Sequence, residues 1–563
     1  MQKETQFNVV LDIGKTNVKL YLLHKNNSVV KIFKTKQKVH FYKRKIKLLD
    51  APQLIVWLSK KLKIISKKHS LNKFVCTAHA SSMAFIDEKE EEIIAVTDYE
   101  YQFDKFAKEY KKILPSFNKT YTPLLEGGLN LGQQIYFLSK QFPEVLKKTK
   151  FILSYPQYIS WKLSNTFSSE ISYIGCHSHF WNHSSSKYSS IINKLKIRKK
   201  LPTIRKAWEI IGKIKINNKV LKILNGVHDS NASYLYFKNS NLKNFTLISS
   251  GTWYIIFNQK TKLKELKANL DMLCNIDVFG NTVPTMRFMG GREFDELIKK
   301  LKITTINRHS ITKDLLKKYV IYPSFASAGP FKKSTQSLNL IKKLSNAEKY
   351  GLVCIYITFV LHFCLNAMNS NNNIILDGPI TKNNTIIKIL SSLRSKQKIY
   401  INSKEIGTGL GASILFNIKM KNNLLLIEVL PDKKINYKHY YDLNSTFMRA
   451  ASLKGLALHT ADDAGSTGPD AQFGWGLLNA KFAAETLTTA ADSSGSAIVE
   501  ELTLNSGQTY QITVQSNGVD PLKASISWND PAHSTISGTN NTTPDKLAVF
   551  NNNLGMSSNF SSL

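Results

Sequence analysis

Residues 11–20, LDIGKTNVKL, constrain this chain more than any other stretch. One short apolar run (7–11) leads into it and another (18–23) leaves it, and both suit β-strands. Gly14 with the polar Lys15, Thr16 and Asn17 suits a tight turn between them. The tip of such a hairpin turns backbone N–H groups and the Thr16 hydroxyl toward an anion, so residues 14–17 are candidates for binding phosphate. Asp12, just before the turn, faces the same spot. It is a candidate for holding Mg²⁺ through water, since a phosphate beside a carboxylate needs a cation between them. A plain hairpin with a glycine turn fits the same residues. The other common phosphate loops are excluded: no G-x-x-x-x-G-K-[ST] occurs, and no G-x-G-x-x-G opens a helix after a strand.

Several later segments place polar groups at strand ends or helix starts. Residues 74–78 read as a buried strand that runs into TAHASSMAFID (77–87), where His79 suits a ligand contact and a structural role equally. GLNLGQQIYFL (128–138) leads into an apolar helix. The amides of Asn130 and Gln134 suit a polyol because each offers donor and acceptor together, although a capped helix start explains Asn130 as well. GVHDSNASYLYF (226–237) sets His228 and Asp229 among small residues. A carboxylate in such a setting can take a proton from a neighbouring group. An Asp before a Ser also reads as a helix N-cap. SSGTWYIIF (249–257) repeats the opening pattern, with Ser250, Gly251 and Thr252 in a second hydroxyl-rich turn between strands. NIILDGPITKN (373–383) reads as a buried strand, a turn at Gly378 and a helix start near Asn383. IGTGLGASILF (406–416) is a glycine-rich helix start suited to close packing.

In this order the motifs resemble the FGGY carbohydrate kinases of the actin-like ATPase superfamily, over about residues 8–440. DIGKTN is similar to the family's Asp-x-Gly-x-Thr opening, and residues 226–233 match its Gly-x-His-Asp-[Ser/Thr]-x-x-[Ser/Ala] motif. SSGTW, SYPQYISWKLSN (154–165) and SYIGCHSHFWN (172–182) resemble the rhamnulokinase-like branch. The resemblance implies an α/β fold of two actin-like ATPase (ribonuclease H-like) domains around a cleft. Residues 1–237 would form the sugar and phosphate side, and 238–440 the nucleotide side. It implies ATP and Mg²⁺ as cofactors and Asp229 as catalytic base. Asp12 organises the metal, while Thr16 and residues 250–252 cradle phosphates. His79, Asn130, Gln134 and His228 meet the sugar; Gly378 and Asn383 meet the nucleotide. A deoxyketose such as L-rhamnulose or L-fuculose is the implied acceptor. RFMGGREFDEL (287–297) resembles a family segment without an assigned role.

Charge separates the rest of the chain from its end. The 563 residues carry a net +37, yet residues 444–563 hold five basic and ten acidic side chains, leaving 72 basic against 30 acidic in the other 443. The lysines of the body are dispersed among Asn and Ile, as codon bias from an AT-rich genome would leave them, so clusters at 31–47 and 194–206 read as solvated faces and no nucleic-acid partner is expected. Residues 350–368 are apolar enough to span a bilayer but read as a buried helix, and no membrane partner is expected. Five scattered cysteines form no metal or disulfide spacing and, without a signal peptide, point to a cytoplasmic protein. Cys176, His177 and His179 lack a fourth metal ligand nearby. A sugar substrate is the expected partner, with a homodimer as one option. Residues 440–487 resemble the end of a subtilisin-like serine protease, and 498–529 the start of a β-sandwich. The protease triad has no room, so the reading is a fused, poorly folded appendage of partial α then β structure (441–563), with His459, Asp462 and Asp463 structural. Two rivals remain: a non-catalytic actin-like sugar or nucleotide sensor, and a secreted protease.

Overall fold

The strand Gln6–Ile13 forms the centre of a seven-stranded sheet in the computed structural model. It pairs antiparallel with Asn17–His24 and parallel with Ser70–Ala78. Val29–Lys36 extends the hairpin side. Lys219–Leu224, Ile210–Ile216 and the short Val227–His228 lie on the other side. A second seven-stranded sheet repeats this core. Phe245–Ser250 pairs antiparallel with Tyr254–Phe257 and parallel with Asn373–Asp377, with Thr282–Phe288 and Met272–Ile276 beyond the hairpin and Ile399–Asn402 and Leu426–Val429 at the other edge. The two hairpin turns expected from residues 14–17 and 250–252 therefore occupy matching places in matching sheets.

The structure describes residues 5–445 apart from 324, 327, 332–337, 403–406 and 432–433, with short pieces between 456 and 499. It separates into two compact units, Met1–Tyr441 and Asp442–Leu563. Both sheets belong to the first.

Burial of Gln6–Ile13 is nearly continuous because both faces of the sheet are covered. Successive side chains alternate between faces. Val9, Leu11 and Ile13 pack with Leu54, Leu58, Leu62 and Ile65 of the helix Ala51–Lys68 and with Tyr155, Tyr158 and Ile159 of the helix Tyr155–Ser164. Val10 faces the other way, toward Leu235 of the helix Asp229–Lys238 and Ala412 of the helix Gly407–Ser413. Asp12 shares the face of Val10, and this parity decides its neighbours.

Helix Ala51–Lys68 begins where the sequence stops it from beginning earlier: the Asp50 carboxylate caps it by accepting from Gln53 N at 3.2 Å, and Pro52 sits in the first turn. Helix Asn346–Ala367 starts at a capping box between Ser345 and Glu348. It is apolar on all sides and long enough to cross a membrane, and most of it is buried in the core of the second sheet, as expected of a fully apolar helix in a globular fold. Tyr437, Tyr440 and Tyr441 are buried in the same core, so the chain still serves this unit at residue 441.

In the second unit the helix Ala480–Ala491 is described, and the Asn479 amide donates to both carboxylate oxygens of Asp462 at 2.9 and 3.0 Å. The sandwich expected over 498–529 and most of the protease-like end, including His459 and Asp463, lie outside the described residues.

Candidate active site

Three neighbouring strands end at one level. Asp12 pairs with Thr77, and Thr77 with Val227; Ile13 pairs with Ala78, and Ala78 with His228. The next residues, Gly14, His79 and Asp229, therefore leave the sheet side by side at its carboxyl edge, where open α/β sheets bind their ligands. Residues separated by more than two hundred positions converge through register alone.

Asp229 opens the helix Asp229–Lys238, with His228 in the cap position rather than Asp229 itself. Its Oδ1 accepts from the Ser230 backbone N–H at 2.5 Å and the Ser230 hydroxyl at 3.2 Å, and lies 3.0 Å from His228 Nε2. Burial pushes the Asp229 pKa up, but the His228 contact and these donors outweigh it and hold the carboxyl below the usual range. His228 is itself buried, with Asn231 Nδ2 at 3.1 Å from Nδ1 and Cys176 Sγ at 3.8 Å from Nε2. His228, a candidate sugar contact, turns its ring toward the Asp229 carboxylate.

His79 is also buried. Its Nδ1–H donates to Ala80 O at 3.0 Å, its ring meets Tyr99 and Tyr155 edge-on, and its Nε2 has no partner. Burial lowers its pKa, so the ring is neutral and offers Nε2 as an acceptor. An unpaired buried acceptor at the edge that carries Asp229 suits a hydroxyl-bearing ligand.

Asp12 is buried and accepts a 2.5 Å hydrogen bond from the Thr408 hydroxyl. Thr408 lies on the helix Gly407–Ser413, whose glycines admit this approach. A Cβ on Gly409 would fall 2.4 Å from the Tyr21 ring, and one on Gly411 would fall 2.0 Å from Ala232 O. Burial dominates the Asp12 pKa and raises it to about 6, with the charge of Asp229 adding to the effect and the Thr408 bond and Lys19 opposing it. This carboxylate lacks a full counter-charge, and the donor set suits a hard cation. Mg²⁺ commonly takes one or two protein carboxylates and completes its shell with water and substrate phosphates. Among the described residues no group of three or more His, Cys, Asp or Glu is placed to hold a metal ion by itself, and a single carboxylate completed by water and phosphates is compatible with that.

The opening turn closes with Gly14 N donating to Asn17 O at 3.0 Å and leaves Thr16 and Asn17 exposed. Lys15, a candidate phosphate contact, has its ammonium paired with Asp98 and, at 3.3 Å, with Glu100, two acids that also hold Lys47. In the second turn Gly251 N donates to Trp253 O at 2.9 Å. The Ser250 hydroxyl is engaged with the neighbouring loop, donating to Asp377 O at 2.6 Å and accepting from Ile380 N at 2.9 Å. Gly378 has φ +81°, and a Cβ there would sit 2.2 Å from Ser250 O. Asn383 caps the helix Asn384–Leu393 by accepting from Ile386 N at 3.1 Å.

Asn130 and Gln134, candidate sugar contacts, both make hydrogen bonds within the fold. Asn130 accepts from Leu125 N at 2.7 Å and donates to His177 O at 2.7 Å and Pro123 O at 3.3 Å. Gln134 accepts from the Thr97 hydroxyl at 2.7 Å and donates to Ser81 O at 2.7 Å and to Gly128 O. Both are fully buried, and their amides fix the loops around His79 and His177.

Two family models cover this architecture. Residues 7–233 match the N-terminal domain of the FGGY family of carbohydrate kinases, and residues 242–423 match the FGGY carbohydrate kinase C-terminal domain. The chain belongs to the FGGY family of carbohydrate kinases. Its fold is that of solved kinases. A carbohydrate kinase from Novosphingobium aromaticivorans aligns with TM-score 0.69 at 24% identity, covering 78% of this chain and 98% of that one. A xylulose kinase from Lactobacillus acidophilus aligns with TM-score 0.64 at 14% identity, covering 78% and 96%. Plasmodium falciparum glycerol kinase with ADP aligns with TM-score 0.61 at 14% identity, covering 78% and 97%. No curated protein sequence matches the chain. As a member of the family the protein is a phosphotransferase with a hydroxyl acceptor, and ATP is its donor substrate.

In this FGGY kinase the double glycine of 287–297 acquires a role. A Cβ on Gly291 would fall 2.0 Å from Gly251 O, and Arg292 N donates to Thr252 O at 3.3 Å. The helix Gly290–Lys300 thus starts directly on the second turn. Thr408, Cys176, Tyr99 and Gly291 were not singled out as site residues by sequence reasoning. Glycines at 407, 409 and 411 marked a close helix contact but not which side chain would use it.

Proposed function

We propose that this kinase phosphorylates a ketose or deoxyketose of the L-rhamnulose or L-fuculose type, with Asp229 as general base. The observation that carries the reading is the common level of Gly14, His79 and Asp229 at the edge of the first sheet; a turn, an unpaired ring nitrogen and a carboxylate side by side support it. Asp229 is held ionised, and its Oδ2 has no hydrogen-bond partner among the described residues. It takes the proton of the attacking sugar hydroxyl while the neutral His79 Nε2 receives a second hydroxyl. In the turns at 14–17 and 250–252 the Gly14 and Gly251 N–H groups close the turns, and the remaining N–H groups and hydroxyls are the ones that hold the phosphates of ATP. Asp12, set by Thr408, is the residue that would hold Mg²⁺, which supplies charge neutralisation at the phosphates. The Thr408–Asp12 bond joins the two halves of the unit at the site, so closing them shuts water out from the phosphoryl group.

The branch assignment is supported by SSGTW and by the His-Asp-Ser run at 228–230. The reading places the protein in the cytoplasm and the domain boundaries near 237 and 440, with 441–563 a fused protease-like appendage outside the chemistry. A coupled ADP-release screen over pentuloses, hexuloses and polyols tests it. Turnover with a ketose supports the assignment; turnover with a polyol alone removes the ketose class.

A further inference from the structure

We propose that His228 and Cys176 form a positioning pair for Asp229, fixing its Oδ1 and leaving Oδ2 alone to face the sugar. The proposal rests on the reading of Asp229 as base. Three contacts converge on Oδ1: His228 Nε2 at 3.0 Å, Ser230 N at 2.5 Å and Ser230 Oγ at 3.2 Å. Among the described residues none reaches Oδ2. A free carboxylate rotates about its last bond and presents either oxygen; here the two are made unequal, so the proton acceptor has one defined direction.

The His228 ring is fixed in turn from several sides. Asn231 Nδ2 lies 3.1 Å from Nδ1, the Tyr173 ring meets it edge-on at 5.9 Å, and Cys176 Sγ lies 3.8 Å from Nε2. With Asn231 donating to Nδ1, the ring proton sits on Nε2 and points at Asp229. If the ring is protonated, the Asn231 amide turns over. Its Oδ1, which has no partner as placed, then accepts from Nδ1–H. Either way Nε2–H faces Asp229.

The groups facing the ring are anionic or can become so. Cys176 and Glu170 approach from the segment around the helix Ile171–Ile174, and Asp229 from its own helix. Burial opposes charge on the ring, yet Cys176 and Asp229 outweigh it and push the His228 pKa up to about 10. Burial opposes ionisation of the Cys176 thiol, yet His177 and then His228 outweigh it and bring its pKa down to about 6. Sulfur and carboxylate thus converge on one ring nitrogen, Nε2. Cys176 is buried and its Sγ meets His228 Nε2, so in this reading its effect on Asp229 passes through His228.

The test uses the full chain, ATP, and L-rhamnulose, L-fuculose and D-xylulose, with melting temperature as a folding control. His228→Ala lowers kcat by about 10²-fold while the KM for sugar stays within about twofold. His228→Asn, which keeps a donor for Oδ1, recovers at least about tenfold of that loss, and its acid limb in kcat/KM moves up by about one pH unit as the cation beside Asp229 is lost. Cys176→Ala lowers kcat by about threefold to tenfold, and Cys176→Ser restores part of it. Wild-type turnover with unchanged kcat and acid limb in both His228 variants overturns the proposal alone. A loss confined to the KM for sugar also overturns it and makes His228 a sugar contact. Absence of wild-type turnover with every sugar overturns the reading of Asp229 as well.

Discussion

Gly411→Ala tests whether the site depends on the close contact between two helices. Gly411 lies on Gly407–Ser413, three residues beyond Thr408, and faces Ala232, three residues beyond Asp229. A Cβ there would sit 2.0 Å from Ala232 O, 2.5 Å from its carbonyl carbon and 3.0 Å from Ser233 N, where real Cβ atoms come no closer than about 3.0 Å. The obstacle is backbone, so no side chain can swing aside and the helices must part by about 1 Å. Overpacking of this kind costs about 1–3 kcal/mol. Alanine regains roughly 0.5–1 kcal/mol of helix propensity over glycine. The net stability loss is therefore modest, about 0–2.5 kcal/mol by these figures. Catalysis suffers more, because the displacement separates Asp229 from Asp12 and Thr408, and a 1 Å error in a reacting group costs on the order of 10²-fold. Coupled ADP release gives kcat, and a thermal melt gives stability. A variant with kcat within about twofold of wild type would refute the argument that this contact sets the geometry.

Other expectations follow from particular residues. The Asp12 carboxyl loses its proton near 6 in the folded protein against 3.8 as the ordinary value, so the folded state holds a proton that the unfolded state has released in that window. Stability therefore falls as pH rises from about 4 to 6, by about 3 kcal/mol, and Asp12→Asn escapes this loss. Melts without Mg²⁺ or nucleotide should show the Asn variant ahead at pH 7 and the gap closing below pH 4, while its kinase activity is lost. A gap independent of pH would remove the assigned burial cost. Truncation after residue 445, which keeps Tyr441 packed on Phe359 and His362, should retain kcat, and a cut before residue 437 should lower the melting temperature. Gly378→Ala should fail on two counts, its φ of +81° and the 2.2 Å approach to Ser250 O, and should lower kcat and stability together.

Much of this fold was legible because its signals are local. The paired turns at 14–17 and 250–252, the Leu54–Leu58–Leu62 stripe and the apolar helix near 350–368 each follow from periodicity or turn chemistry within one segment. Asp229 was legible through the motif resemblance of residues 226–233; taken alone, an Asp before a Ser reads as a helix N-cap. What the sequence hid is how side chains are shared over distance. Asn130, Gln134 and Asn383 carry the donor and acceptor pattern of ligand contacts, yet backbone groups in loops far away or caps nearby take them up. Lys15 sits in the phosphate turn, but Asp98, 83 positions on, holds its ammonium. Thr408 reaches Asp12 across 396 residues, a contact that only sheet parity and the glycine-lined helix make possible. Local chemistry thus revealed where a site could form; packing decided which polar groups remain free in it.

The most direct measurement is sugar-dependent ADP release by the full chain and by Asp229→Ala, run beside ATP binding in both. The account predicts turnover of a ketose by the wild type, loss of that turnover in the variant by at least about 10³-fold, and ATP affinity unchanged within about twofold. Undiminished turnover in Asp229→Ala, or ATP binding without turnover of any sugar in the wild type, would contradict it.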